Sequence, residues 1–392
     1  MRIAILTSGI LPVPAVQGGA VENLIDFYLE YNDRHRLHDI TVYSVADMAT
    51  KFHPAMQSEA NHYYYICVTS LWAKVHKHLY HFINRHDEYY HYTIEYYLHQ
   101  AIKHICKQHY DVIILENRPG YSLLLKGKTT AKLIYHLHNE KLSCDVPNYQ
   151  IIYSLAFRIL TVSDYIKSKV LTINPADTKT KTIHNGINLD AFIPNDISSA
   201  RIAKGFSKND FIIVFSGRIT KEKGIMELIE AMLLLGDYQN IKLLVLGSSF
   251  YGNSDNMDDF AKALKNKAAP LSDRIIFTGF IPYNQIPSFL GIADIAVIPS
   301  VWDDPFPTTV LEAQAMGLPI IATNRGGIPE EVTEENAILI NTDDLLPKRL
   351  AEAIHYLYDH PKKRKAMSEA AIRHSRLFDK DKYAQNFFAS LI

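Results

Sequence analysis

Cysteine is scarce and poorly spaced for structural use: the 392 residues hold three, Cys67, Cys106 and Cys144, with no Cys-x-x-Cys pair. That excludes a disulfide framework and a structural zinc site, and it fits a reducing, cytoplasmic compartment. No apolar run reaches the roughly 18 residues a membrane-spanning helix needs. The early Arg2 and apolar residues imitate a secretory leader, but Ser8, Gly9, Pro12 and Pro14 interrupt the run, and "RIAILTS" reads as a first buried strand. A surplus of one charge is also missing, with 41 Lys plus Arg against 42 Asp plus Glu. A polyanion such as nucleic acid is therefore not an expected partner. The first turn lacks Gly-x-Gly-x-x-Gly, which argues against a nicotinamide oxidoreductase despite Asp47 after the second strand. No Asp-x-Asp ends a strand, and the "DKD" at 379–381 reads as a helix start, so no metal is expected.

What is abundant is apolar sequence, 47% of the chain, enough for two cores at the usual domain size. Short β-branched runs alternate with helical stretches: "RIAILTS", "DITVYSV", "DVIILEN", "AKLIYHLHN" and "RILTVS", then "FIIVFSG", "IKLLVLGS", "RIIFTGF", "IADIAVIPS" and "PIIATN". Near-continuous apolar strands between helices predict parallel sheets covered on both faces. The fold class is α/β, two doubly wound domains, joined by the polar segment 188–210 with Pro194 and Gly205. Ligands of such sheets bind beyond the carboxyl ends of strands, where helix N-termini offer amides to anions.

The segment "VWDDPFPTTVLEAQAMGLPIIATNRGG" follows one of these strands. Pro305 and Pro307 delay the helix, Thr308 or Thr309 is the expected N-cap, and Gly317 with Pro319 ends it. About seven helical residues remain, most of them terminus, so several amides lack internal partners. Glu312 has two readings: a capping-box acid folded back on its own helix, or a ligand-binding acid. Asp304 is either a turn acid or its partner.

The pattern Asp304, Phe306, Glu312, Ala313, Ala315, Gly317, Pro319 resembles the retaining nucleotide-sugar glycosyltransferases of family four, whose signature is an acid, seven residues, then Glu. Two positions depart from it: Asp304 stands for the usual Glu, and Pro307 for the usual Gly. The resemblance implies the GT-B fold, with an acceptor-binding Rossmann-like domain over 1–190, a donor-binding one over 191–375 facing it across a cleft, and a terminal helix, 376–392, returning to the first. It implies that Asp304 meets hydroxyls of the transferred sugar and Glu312 those of the ribose. Between them, Phe306 and the backbone of Pro307, Thr308, Thr309 and Val310 hold sugar and phosphate.

In "FSGRITKEKG", Arg218 and Lys223 are surface cations on a bland reading; the resemblance makes them the pair that neutralises the diphosphate. Gly18 and Gly19 form a flexible loop or a backbone approach to phosphate. Ile276 and Phe277 are buried strand residues or, as the resemblance implies, readers of the nucleobase through their backbone. Alternation points His136 and His138 to one face, and packing of one or both is the bland reading; the resemblance implies a histidine at the reacting sugar, and His138 is the candidate. The implied reaction is transfer from a nucleotide-sugar donor, UDP-linked, to a hydroxyl of a growing glycan with retention, in polysaccharide, lipopolysaccharide or glycoconjugate synthesis. No cofactor is implied beyond that substrate. The rival reading is a non-catalytic nucleotide-sugar-binding partner of another transferase.

Residues 71–86, "LWAKVHKHLYHFINRH", place Trp72, Val75, Leu79 and Phe82 on one helical face. Such a face either covers the first sheet or, with Lys74, Lys77 and Arg85, meets an anionic membrane bearing a lipid-linked glycan acceptor. The expected location is cytoplasmic, with peripheral contact at the inner face of the membrane as the second alternative.

Overall fold

The computed structural model describes residues 1–82, 91–193, 201–247 and 259–391. Arg85 and Pro194 lie outside them. Two compact units result: Met1–Gly186 with Lys380–Ile392, and Ile187–Asp379.

The first unit is built on β1 (Arg2–Leu6), β2 (Asp39–Val45), β3 (Asn61–Ile66), β4 (Val112–Glu116), β5 (Lys132–Leu137), β6 (Ala156–Thr161) and β7 (Thr180–Thr182). They pair in the order β3-β2-β1-β4-β5-β6-β7, every pair parallel. Continuous burial causes this arrangement: β4 is buried at every position, which only a sheet covered on both faces allows. Two helices meet on one face, Ala20–His35 and Lys380–Ala389. Tyr28 stacks on Phe387 with centroids 4.1 Å apart and planes 2° from parallel, a pair worth about 0.5–1.5 kcal/mol beyond its burial. Arg34 and Lys380 add ion pairs to Asp381 and Glu30 at the rim.

The second unit repeats the plan with β8 (Phe211–Ser216), β9 (Ile241–Leu246), β10 (Ile275–Phe277), β11 (Ile295–Ile298), β12 (Ile320–Thr323) and β13 (Ala337–Ile340). The order is β10-β9-β8-β11-β12-β13, again all parallel. Chain order reverses between β8 and β11, and there the two following loops diverge to opposite faces and leave a crevice. The doubly wound α/β class expected from the strand pattern is what each unit shows. Arg201, in the polar joining segment, docks on the second unit through Asp294 and the Ile292 carbonyl, both 2.9 Å away.

The helix Leu71–His81 does not cover the first sheet with its apolar face. Ser70 caps it, accepting from the Ala73 amide at 3.2 Å, and its inner side rests on ring contacts of His76 and Tyr80 with Tyr96 and His99. Trp72, Val75, Leu79 and Phe82 are 72%, 51%, 57% and 72% exposed. Aromatic residues on the neighbouring Tyr92–Ile105 helix fill the contact that the apolar stripe was expected to make. Among the described residues no helix is long and apolar enough to cross a membrane.

Candidate functional site

The switch point between β8 and β11 gathers the motif residues. After β8 the chain passes through Gly217 and Arg218 to a short 3-10 turn, Lys221–Lys223. Gly224 then turns with φ 70°, and a Cβ there would fall 1.8 Å from the Pro299 carbonyl oxygen. Only glycine lets this loop touch the one after β11. The contact is extended by the Val301 amide, which donates to the Glu222 carbonyl at 3.0 Å.

That approach brings Lys223 onto Asp304. The ammonium pairs directly with Oδ2, with the side chains 21% and 7% exposed. Ser300 Oγ donates to the same oxygen at 3.4 Å, and the Asp304 carbonyl accepts from the Gly327 amide at 2.7 Å. Arg218 is exposed, and among the described residues its guanidinium makes no hydrogen bond or ion pair.

The helix after Asp304 runs Thr308–Ala315, eight residues. Pro307, neither threonine, is its N-cap, and no side chain caps it. Proline's fixed φ holds the last extended residue, and the helix begins at Thr308, earlier than a Thr308 or Thr309 cap would allow. The capping box is not formed: Pro307 at the N-cap has no amide hydrogen to offer, and the buried Glu312 instead takes the Thr308 hydroxyl in the first turn of its own helix. Burial pushes its carboxyl up to about 8, against the pull of that hydroxyl. Phe306 is 3% exposed and packs edge-on against Phe378, centroids 5.9 Å apart. Its ring anchors the loop to the core and leaves only backbone for a ligand. Pro307 and Val310 are buried, and Thr308 and Thr309 partly open.

On the far side of the sheet's carboxyl edge, Ile276 and Phe277 are 36% and 39% exposed. The buried-strand alternative fails because β10 is an edge strand. The loop beyond it carries Tyr283, whose phenol is driven well above its ordinary range by burial and by Glu312.

Gly18 and Gly19 sit in the first unit at the start of helix Ala20–His35, with φ 76° and 109°. A Cβ on Gly19 would meet the Glu22 carboxylate at 2.2 Å, so an acid already occupies this helix end. Burial raises Glu22 to about 7. His136 and His138 do share a face, as alternation predicts, and both turn to Glu116 at the end of β4: 3.0 Å from Nδ1 of His136 and 3.3 Å from Nε2 of His138.

Sequence reasoning passed over Glu116, Tyr283 and Glu331. Glu331 is fully buried, neither carboxyl oxygen has a hydrogen-bond partner, and burial followed by the charge of Asp304 raises its pKa well above the usual range. Two adjacent acids after "GGIP" were the available signal.

Residues 196–374 match the family model described as "Glycosyl transferases group 1". The YtcC protein of Bacillus subtilis (strain 168), an inferred glycosyltransferase, is 28% identical over 95% of this chain and 87% of its own. Spore coat protein SA of the same organism is 26% identical over 95% of this chain and 94% of its own. Among solved structures, HepE of Anabaena in complex with UDP and glucose superposes with a TM-score of 0.75 at 21% identity, over 100% of this chain and 99% of that one. The second unit carries a domain that matches the group 1 glycosyl transferases, and the chain as a whole has the two-domain GT-B fold.

Proposed function

We propose that the protein moves a sugar from a uridine-diphosphate donor to a hydroxyl of a growing glycan of the cell surface, with retention of anomeric configuration and without a metal ion. The observation that carries this reading is the convergence, at the β8–β11 switch point, of Lys223, Asp304 and the open end of helix Thr308–Ala315. Lys223 and Arg218 meet the diphosphate. The amides of Thr308 and Thr309 complete its cradle; Pro307 has no N–H to give, and the Val310 amide, expected among these donors, already donates to the Pro307 carbonyl at 3.0 Å. Asp304 accepts from the sugar's hydroxyls and Glu312 from those of the ribose. His138 accepts from a substrate hydroxyl. As the glycosidic bond breaks, negative charge grows on the leaving phosphate, and fixed cations there stabilise the transition state more than the ground state. Two cations and two amides make a metal unnecessary for that charge. The UDP seen with HepE supports uridine as the nucleotide.

Thermal stabilisation by a panel of nucleotide sugars tests the reading. A ligand at 100 times its Kd adds about 2.7 kcal/mol, so a UDP-sugar should raise Tm by several degrees, with or without chelator. A larger shift from a guanosine or adenosine donor overturns the uridine assignment; a shift abolished by chelator overturns metal independence. The product's anomeric configuration, read by NMR, tests retention.

The acceptor is proposed to be lipid-linked and reached at an anionic membrane. The exposed ridge of Trp72, Val75, Leu79 and Phe82 beside Lys74 and Lys77 supports this. Each basic side chain near such a surface is worth about 1 kcal/mol. Alanine at Lys74, Lys77 and Arg85 together should therefore weaken flotation with anionic liposomes roughly 100-fold, and unchanged flotation would exclude the surface.

A further inference from the structure

The first unit holds a second chemistry-bearing cluster, at its own switch point between β1 and β4. Glu116 ends β4, and register sets it against His136 of β5. Its carboxylate is fully buried. The Tyr28 hydroxyl donates to Oε1 at 2.8 Å, while Oε2 faces Nδ1 of His136 at 3.0 Å and Nε2 of His138 at 3.3 Å. Burial alone would raise this carboxyl. The charge of His136 and hydrogen bonds from both imidazoles outweigh it and hold the pKa at about 2. Glu116 is therefore ionised, and an ionised carboxylate can only accept. Each ring nitrogen facing it must carry hydrogen.

His138 is itself pushed down to about 4, first by burial and then by His136, so its imidazole is neutral near pH 7. A neutral ring has one N–H. With that hydrogen on Nε2, Nδ1 is bare. The residue is fixed from two further sides: its backbone amide donates to Asn117 Oδ1 at 3.1 Å, and its ring lies 4.3 Å from that of His136. Asn117 itself sits at φ 59°, a conformation its side chain tolerates and most do not.

We propose that Glu116 is a positioning residue for His138: by taking the Nε2 hydrogen it fixes the tautomer whose Nδ1 lone pair accepts a hydrogen bond from a hydroxyl of the sugar substrate. This rests on the role given to His138 above. Tyr28 and His136 hold the carboxylate in turn. The same three ligand atoms lie within 4.8 Å of one another, and a divalent cation among them would instead need every one of those nitrogens unprotonated.

Full-length protein labelled with 15N-histidine, with His138 assigned through His138→Gln, reads the tautomer directly. An Nε2–H tautomer is expected; an Nδ1–H tautomer, or a stoichiometric metal retained through purification, overturns the proposal whatever the variants do. In kinetics, Glu116→Gln should lower kcat about 10- to 100-fold. In a His138→Ala background the same change should cost nothing further, since a residue acting through His138 has nothing left to act on. Losses that add in the double variant overturn the positioning role. Full activity of His138→Ala overturns the assignment of His138 to the substrate, and leaves the tautomer to report separately on Glu116.

Discussion

Replacing Lys223 by alanine is expected to lower kcat/KM for sugar transfer by about 10²- to 10³-fold, the usual loss when one donor aimed at developing charge is removed. The ammonium is well placed for that task. Gly224 presses its loop onto Pro299, and Asp304 fixes its position. A diphosphate therefore meets a cation that is already held, at little ordering cost. Charge grows on the leaving group only as the bond breaks, so kcat should fall more than KM rises. A second effect separates Lys223 from Arg218. Removing Lys223 leaves Asp304, which is 5% exposed, beside the buried Glu331 with its cation gone, so Lys223→Ala should also lower Tm. Arg218 is exposed, and Arg218→Ala should lose activity with Tm unchanged. Rates measured well below both midpoints decide the matter: activity within threefold of the parent in Lys223→Ala would mean that the cation is a structural counter-ion of Asp304 alone.

The strands that carry these loops were legible because burial on both faces writes a continuous apolar run, as in "DITVYSV" and "IKLLVLGS", which match β2 and β9 closely. Of the three strands not foreseen, β13, "AILI", is apolar but only four residues long and partly open, and the other two are ones such a run cannot mark. β3, "NHYYYI", is an edge strand with half-exposed tyrosines, and β7, "TKT", is three residues long and mostly polar. At the site, Asp304 and Glu312 were legible since a single loop and helix hold both. Glu116 was not: its partners come from three elements, and in "DVIILEN" it looks like the polar end of a strand. The exposed ridge of helix Leu71–His81 shows the same limit from the other side. Periodicity revealed an apolar face, but only the Tyr96 and His99 contacts decided which face turns inward.

Glu312 gives the other large effect. Its carboxyl titrates at about 8 in the folded chain, against 4.5 for an unperturbed one, because burial outweighs the hydrogen bond from the Thr308 hydroxyl. The sign follows from linkage. Below pH 4.5 both folded and unfolded chains hold the proton, and the group's contribution is fully present. Between pH 4.5 and 8 the unfolded chain releases it while the folded one retains it, and stability falls, by roughly 3–5 kcal/mol. Glutamine has no proton to retain. Glu312→Gln should therefore melt several degrees above the parent at pH 8 and close to it at pH 5. Glu331, Glu22 and Asp26 are also raised, but they are common to both proteins and cancel in the difference. A binding acid explains why this cost is tolerated: two ribose hydroxyls donating to the carboxylate would favour its ionised form. Donor binding near pH 7.5 should then release protons from the parent, detectable by calorimetry in buffers of different ionisation enthalpy, and fewer from Glu312→Gln, which should also bind the donor more weakly. An equal Tm difference at pH 5 and pH 8, or proton release that survives in Glu312→Gln, would remove Glu312 from the donor site.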